Sequence, residues 1–264
     1  MAVIGAHVQA GDAIAQAQAR GANAAQIFLG DPKGWKGPVV DFDGGAPALK
    51  EAAAQAGVRL FVHAPYVLNV ASLNNRIRIP SRKLLQKHVD LATEIGAAGV
   101  VVHGGHVRAG EDEEVGFDNW RKAVDQLEAG TPIFIENTAG GQHAMARGVA
   151  KLTRLWEAVR SAEGGDAVGF CLDTCHAYAG GEELEGLVDR IRAATGRIDL
   201  IHVNDSRDAF DSGADRHANL GEGSLPQDHL AALVRQAGAP MIVETPGDAE
   251  AHARDIAWLR EQCG

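Results

Sequence analysis

Several things are scarce in this 264-residue chain. There are three cysteines, Cys171, Cys175 and Cys263. An odd number without a repeating spacing does not build a disulfide framework and suits a reducing compartment. Positive charge is in deficit: 25 Lys and Arg against 35 Asp and Glu leave a net charge of −10. That is unlike the basic footprint of most nucleic-acid proteins, although net charge does not say where the local field lies. No apolar run approaches the length of a membrane span, and the opening MAVIGAHVQAGDA has no basic segment leading into an apolar one, so no signal peptide is expected. A cytoplasmic protein is the expectation, without a membrane or an evident protein partner. No Gly-x-Gly-x-x-Gly follows the first apolar run, which argues against a dinucleotide fold. No linker, low-complexity tract or shift of composition divides the chain, so residues 1–264 are expected to form one domain.

What is present is an alternation. Short apolar runs end in Gly, His, Glu or Asp; a loop follows, then an Ala- and Leu-rich stretch of helical period. The runs are 3–7, 25–29, 60–63, 100–103, 133–136, 168–173, 198–203 and 241–244. The helical stretches include 46–56, 81–95, 119–129, 149–160, 184–194, 226–236 and 249–261. Asp12 is placed to cap the first helix and Gly96 to stop the one at 81–95. Continuous apolar strands between helices predict a parallel sheet covered on both faces. Eight such units in a chain near the ~250 residues of a (β/α)8 barrel predict that closed α/β fold, a TIM barrel. A doubly wound open sheet is the alternative.

The strand ends carry the chemistry. His63, His103, Glu136, Asp173, His202 and Glu244 close runs three to eight, and His176, Asp215 and His217 lie in the loops just after. All nine are metal-ligand types, and a barrel brings all its strand C-termini to one face. Asp215 and His217 stand at i and i+2, which on an extended segment point to the same side. Any one of these has a plain explanation: an exposed histidine, a carboxylate capping the next helix, a polar surface loop over 201–223. Together they differ, because four carboxylates at one rim repel unless cations compensate. Nine ligands exceed the need of one ion and suit two or three. Close-set divalent ions serve phosphoryl displacement, so a multinuclear hydrolase of phosphate esters is expected.

The motifs HAPYVLN (63–69), IENTAG (135–140), GFCLDTCH (169–176), IHVND (201–205) and DRHANLGEG (215–223), with QIFLGDPKGW (26–35) and IVETP (242–246), resemble the endonuclease IV family of apurinic/apyrimidinic endonucleases. The resemblance implies a barrel with three zinc ions, manganese being an option at one site, that cleaves double-stranded DNA 5′ to an abasic site and clears blocked 3′ ends. It leaves a 3′-hydroxyl and a 5′-deoxyribose phosphate. By motif, His63, His103 and Glu136 would hold one ion. Glu136 would also reach a second ion held by Asp173, His202 and Glu244, which makes it the catalytic carboxylate. His176, Asp215 and His217 would hold the third. Tyr66, Lys33 and Arg216 would touch DNA, and a protein acting there would associate with the nucleoid. Trp35 is expected to pack under its loop, and Cys171 and Cys175 to pack in the core or rim. The chain departs from the family pattern at Arg207 for lysine, Asp211 for glycine and Asp31 for a neutral residue, and it has no basic tail.

Two rivals remain open. A sugar isomerase or epimerase of the xylose-isomerase-like kind would use Glu136, Asp173, His202 and Glu244 but has no use for the other five ligands. A lesion-binding protein without turnover would not need an intact ligand set.

Overall fold

The computed structural model describes residues 2–9, 11–128 and 130–263. Its elements run β1 (Ile4–His7), α1 (Ala13–Ala19), β2 (Ala24–Phe28), α2 (Gly45–Ala56), β3 (Arg59–His63), α3 (Asn75–Glu94), β4 (Val100–His103), α4 (Glu113–Val124), β5 (Ile133–Glu136) and α5 (Gly148–Arg160). The order continues with β6 (Gly169–Asp173), α6 (Thr174–Ala179), α7 (Leu187–Thr195), β7 (Leu200–His202), β8 (Asp205–Ser206), β9 (His217–Ala218), α8 (Gln227–Ala237), β10 (Met241–Val243) and α9 (Ala249–Cys263). Eight strands close in the order β1-β10-β7-β6-β5-β4-β3-β2, all pairs parallel. The expected TIM barrel is therefore the observed one. The ribbon β8–β9 is antiparallel and lies outside it.

Strand alternation explains how the barrel is filled and topped. Phe61, Val101, Phe134, Cys171, Leu200 and Ile242 belong to one buried cluster fed by successive strands. They fill the barrel interior. Two residues further along each strand, on the same side, stand His63, His103, Glu136, Asp173, His202 and Glu244. An apolar layer thus carries a layer of ligand-type side chains about 6–7 Å above it, two strand rises away. The alternate side chains, such as Val62, Val102, Ile135 and Leu172, face outward into the larger core under the helices.

Helix boundaries follow local chemistry, and three expectations need correction. The helix expected at 81–95 begins at Asn75, because the Asn74 side chain accepts the Arg76 N–H and caps it. Pro80 therefore lies inside the helix and withholds one hydrogen bond. The helix expected at 119–129 spans Glu113–Val124 instead; Ala129 lies outside the described residues. Asp112 caps it, Glu113 and Glu114 occupy its first turn and Arg121 and Lys122 its last, all in favourable positions along the helix dipole. The helix expected at 184–194 starts at Leu187, after Gly186 in a left-handed conformation. Asp12 accepts the Ile14 and Ala15 N–H groups at the start of α1, and Gly96 takes a positive φ just after α3, as expected. No helix among the described residues is long and apolar enough to cross a membrane.

The tightest approach in the barrel is at Gly5, paired with Ala24. A Cβ there would lie 2.0 Å from the Ala24 carbonyl oxygen, a backbone atom that cannot swing away. Gly5→Ala should destabilise the fold by about 3 kcal/mol or more, the upper end of overpacking costs. The check is a fall in the urea midpoint at unchanged m-value; a loss below about 1 kcal/mol would show that β1 and β2 can separate locally.

Candidate metal centre

Glu136 sits at the middle of the barrel mouth with no solvent exposure. Its two carboxylate oxygens face opposite ways. Oε2 lies 3.3 Å from His63 Nε2 and 3.2 Å from His103 Nε2. Oε1 lies 2.9 Å from His202 Nδ1 and 3.4 Å from His176 Nδ1. Three groups of ligand atoms share this centre, each drawn within 4.8 Å: His63 with His103 and Glu136; Glu136 with Asp173, His202 and Glu244; His176 with Asp215 and His217. All nine residues singled out from the strand ends and following loops thus meet at one mouth.

The folding of each segment aims these groups. His63 Nδ1 donates to the Ala64 carbonyl at 2.7 Å, which leaves Nε2 turned inward. His176 Nδ1 is held 3.0 Å from the Asn137 carbonyl, and His217 Nδ1 3.2 Å from that of Glu244. Such outer contacts orient a ligating imidazole and fix its tautomer. Asp173 does two jobs. Its Oδ1 accepts the His176 N–H at 2.6 Å and caps α6; its Oδ2 accepts from Asn204 Nδ2 at 2.7 Å and faces the centre. Asn204 also accepts the Glu244 N–H at 2.8 Å, so one amide couples β7 to β10.

Asp205 organises the loop that carries Asp215 and His217. Fully buried, it accepts five donors: the N–H groups of Ser206, Gly221, Gly223 and Leu225, and Gln227 Nε2, at 2.8–3.1 Å. The Gly-Glu-Gly segment closes onto this carboxylate because a side chain at Gly223 would collide with it. Asp255 on α9 fastens the same loop through Asn219, Leu220 and Thr245. Asp211 takes a φ of 56°, the one non-glycine at positive φ among the described residues. Aspartate tolerates that region better than most side chains, which is why it can stand where the family pattern has glycine.

Two residues of the mouth escaped the reading of the sequence. Gln26, fully buried in the middle of β2, donates to Glu244 Oε1 at 2.7 Å, and its Oε1 lies 2.8 Å from His202 Nε2. His7, at the end of β1, lies 3.2 Å from Glu244 Oε1 and 3.0 Å from Gln26 Nε2. The signal was available: both stand at the mouth-facing position of their strands, in step with the other six.

The electrostatics show what the centre lacks. Burial pushes the Glu136 carboxyl up, but His202 and His103 pull it well below the usual carboxylate range. Burial likewise raises Asp215 and Glu244, yet neighbouring imidazoles hold both well down. The histidines respond in reverse. Burial lowers His202 and His176; the adjacent Cys171 sulfur with Glu244 and Glu136 drives the first well above the usual imidazole value, and Asp173, Asp215 and Glu136 the second. His217 is pushed down by burial and lifted to about 9 by Asp215 and Asp173. Buried carboxylates here hold protons on imidazoles for want of another cation. His7 Nε2 is buried without a hydrogen-bond partner, and His217 Nε2, 3.1 Å from Asp215 Oδ1, is not aligned to make a hydrogen bond with it. A tetrahedral ion about 2.0 Å from each donor sets donors roughly 3.3 Å apart, the separation seen between Glu136 and both His63 and His103. The donor set, its charge and the unaligned His217 Nε2 facing Asp215 all fit metal.

Of the other expected residues, Tyr66 stands half-exposed over the rim, its ring 5.4 Å from that of His63 and 5.7 Å from that of His103. Burial pushes its hydroxyl up to about 12, so it stays neutral. Lys33 is exposed on the β2–α2 loop, and Asp31 beside it accepts the Lys33 N–H. Arg216 is held by Asp208 through Nε at 2.8 Å and a second contact, so a phosphate would have to compete for it. Trp35 departs from expectation: it is 48% exposed and does not pack beneath its loop. Cys171 and Cys175 are fully buried, and burial lifts both thiols to about 12.

Over residues 14–262 the chain matches the family described as the xylose isomerase-like TIM barrel. It is 54% identical over 263 residues to a protein of Mycobacterium ulcerans named probable endonuclease 4, with 98% of each chain covered. Among solved structures it is similar to endonuclease IV from Thermus thermophilus, with a TM-score of 0.83 at 28% identity and 98% of each chain covered. A D-tagatose 3-epimerase-like protein shares the fold, with a TM-score of 0.75 at 19% identity over 96% of each chain.

Asp205→Ala should leave four N–H donors and one amide without their acceptor, at a cost of about 3–5 kcal/mol. Amide hydrogen exchange should accelerate at Gly221, Gly223 and Leu225 while the barrel strands stay protected. Unchanged exchange at those three amides would remove Asp205 from its role as the loop's anchor.

Proposed function

This chain belongs to the endonuclease IV family, and from that premise we propose that it nicks duplex DNA on the 5′ side of an abasic site, using zinc held by the nine mouth residues. The observation that carries the reading is Glu136, whose two oxygens each face a separate pair of imidazoles. His63 and His103 with Glu136, then Glu136 with Asp173, His202 and Glu244, then His176, Asp215 and His217 would hold three ions. Nitrogen and carboxylate oxygen in this mixture suit zinc, with manganese an option at one position. Divalent ions in such a centre lower the pKa of water and neutralise charge on attacking and leaving oxygens.

The chain's own side chains do the rest. Glu136 is held ionised by its imidazole neighbours, so it offers both oxygens at once. Gln26 fixes Glu244 and His202 from behind, which keeps these donors from turning away. Tyr66, neutral and half-exposed, stands where an aromatic ring can fill the stack left by a missing base. That contact offsets part of the cost of displacing a nucleotide, which is already low at an abasic site. Lys33 would meet a phosphate directly. Arg216 would do so after leaving Asp208.

The sugar-epimerase alternative uses only Glu136, Asp173, His202 and Glu244. It leaves His63, His103, His176, Asp215 and His217 without work, and the protein gathers all five at the same mouth.

A duplex with one abasic site should be cut once, leaving a 3′-hydroxyl, and strong chelation should abolish the cut. Intact duplex combined with interconversion of free ketoses would decide for the epimerase. Glu136→Gln should lower turnover on the order of 10³-fold or more, the scale of losing a preorganised electrostatic element, while the barrel stays folded by circular dichroism. Near-normal cutting by that variant would contradict the assigned role. Tyr66→Ala should weaken DNA binding without changing metal content.

A further inference from the structure

The net charge of −10 is unevenly spread. Residues 74–89, NNRIRIPSRKLLQKHV, hold Arg76, Arg78, Arg82, Lys83 and Lys87 and no carboxylate. Most of this stretch is α3, which descends the outside of the barrel from the mouth. Arg78 donates to the Ser72 carbonyl and the Asn75 side chain, and Arg82 to the Asn119 carbonyl. Arg76, Lys83 and Lys87 are exposed and have neither ion pair nor side-chain hydrogen bond among the described residues. At i, i+7 and i+11 they form one stripe about 16 Å long.

That stripe edges a groove of about 500 Å³ between α3 and the β2–α2 loop. Its apolar walls are Trp35 and Ile79, 48% and 47% exposed, with Pro80. Arg76, in the first turn of α3, marks the groove's end nearer the strand C-termini. The Tyr66 N–H donates to the Pro32 carbonyl at 2.9 Å, tying the groove's loop to the loop that bears Tyr66. Lys33 and Lys36 lie on the same loop. None of these α3 residues takes part in the metal centre.

We propose that this groove is a second, lesion-independent DNA track, which takes the phosphodiester backbone of one duplex arm flanking the cut site. It rests on the endonuclease reading for its partner and adds where that partner lies. A strand of duplex advances 3.4 Å per base pair, so the stripe spans about five phosphates. Unpaired cations in line suit a row of phosphates, and Trp35 and Ile79 offer apolar surface to deoxyribose. The acidic remainder of the chain repels a duplex elsewhere, so the strip also orients it. An acidic peptide is the competing occupant; the tie between the groove's loop and the Tyr66 segment and the linear charge spacing favour DNA.

The test is the triple variant Arg76→Gln, Lys83→Gln, Lys87→Gln in the metal-loaded protein. All three residues are exposed, and glutamine keeps their helical character. Binding to an undamaged duplex of about 25 base pairs, read by anisotropy across a salt series, should show a log K against log[salt] slope shallower by about 2–3, near 0.9 for each phosphate that is no longer neutralised. Affinity at about 0.1 M salt should fall on the order of tenfold or more. On abasic duplexes with each arm shortened in turn, KM should rise only where one particular arm is long, with kcat unchanged. Wild-type slope and affinity in the variant would overturn the proposal and leave the groove to a peptide. Equal rises in KM with either arm long would overturn it too, since they mean a diffuse field and no track. A wild-type protein that binds duplex with the expected slope yet does not cut abasic sites would sink the endonuclease reading and leave the track standing.

Discussion

The structure depends on keeping four carboxylates and five imidazoles together in a barrel mouth whose floor is closed to water and whose rim, at Asp215 and His103, is open to it. Glu136, Asp173 and His202 have no exposed surface, and burying like charges this closely is unfavourable without compensating cations. Here imidazoles supply part of that compensation, which is why His176, His202 and His217 are all driven upward. Metal ions would supply it in full and release the protons. The outer contacts make sense as a frame for that centre: Asn204 bridges Asp173 and Glu244, Gln26 bridges Glu244 and His202, and Asp205 gathers the last loop. None of these is needed to close a barrel. They hold charged side chains in one arrangement against their mutual repulsion.

Much of this was legible in the sequence because strands obey a two-residue period. Phe61 and His63, Phe134 and Glu136, Leu200 and His202 each put an apolar residue in the barrel and a ligand above it. The same rule would have found His7 above Gly5 and Gln26 above Ala24. They were missed because glycine and alanine do not advertise a core position and glutamine is not a metal-ligand type. Helix starts were less legible. Pro80 reads as a boundary, but Asn74 caps the helix a turn and a half earlier. The hub at Asp205 joins residues up to 22 positions apart, and a hydrogen-bond network of that reach leaves no periodic mark. Trp35 was expected to pack away, and its exposure follows from a loop that rests on α3 from the side and leaves the ring half in solvent.

An acidic chain that acts on DNA is less of a contradiction than its net charge suggests. The acidic residues are spread over the helices' outer faces, many in pairs with lysine and arginine, as Asp118 is with Arg121 and Lys122 and Glu113 with Lys151. Among the cations without partners, Arg76, Lys83 and Lys87 line up on α3, and Lys33 and Lys36 stand on the loop beside it. Net charge sets solubility and long-range repulsion, whereas binding responds to the local field.

The most direct measurement of the central claim is the metal content of the purified protein by elemental analysis, set beside that of His217→Ala. The account predicts two to three zinc per chain in the first. It predicts about one fewer in the second, since His217 is one of three donors, with His176 and Asp215, none of which belongs to the two groups built on Glu136. One zinc or less per chain in a fully active protein, or equal content in both, would contradict a mouth built for several ions.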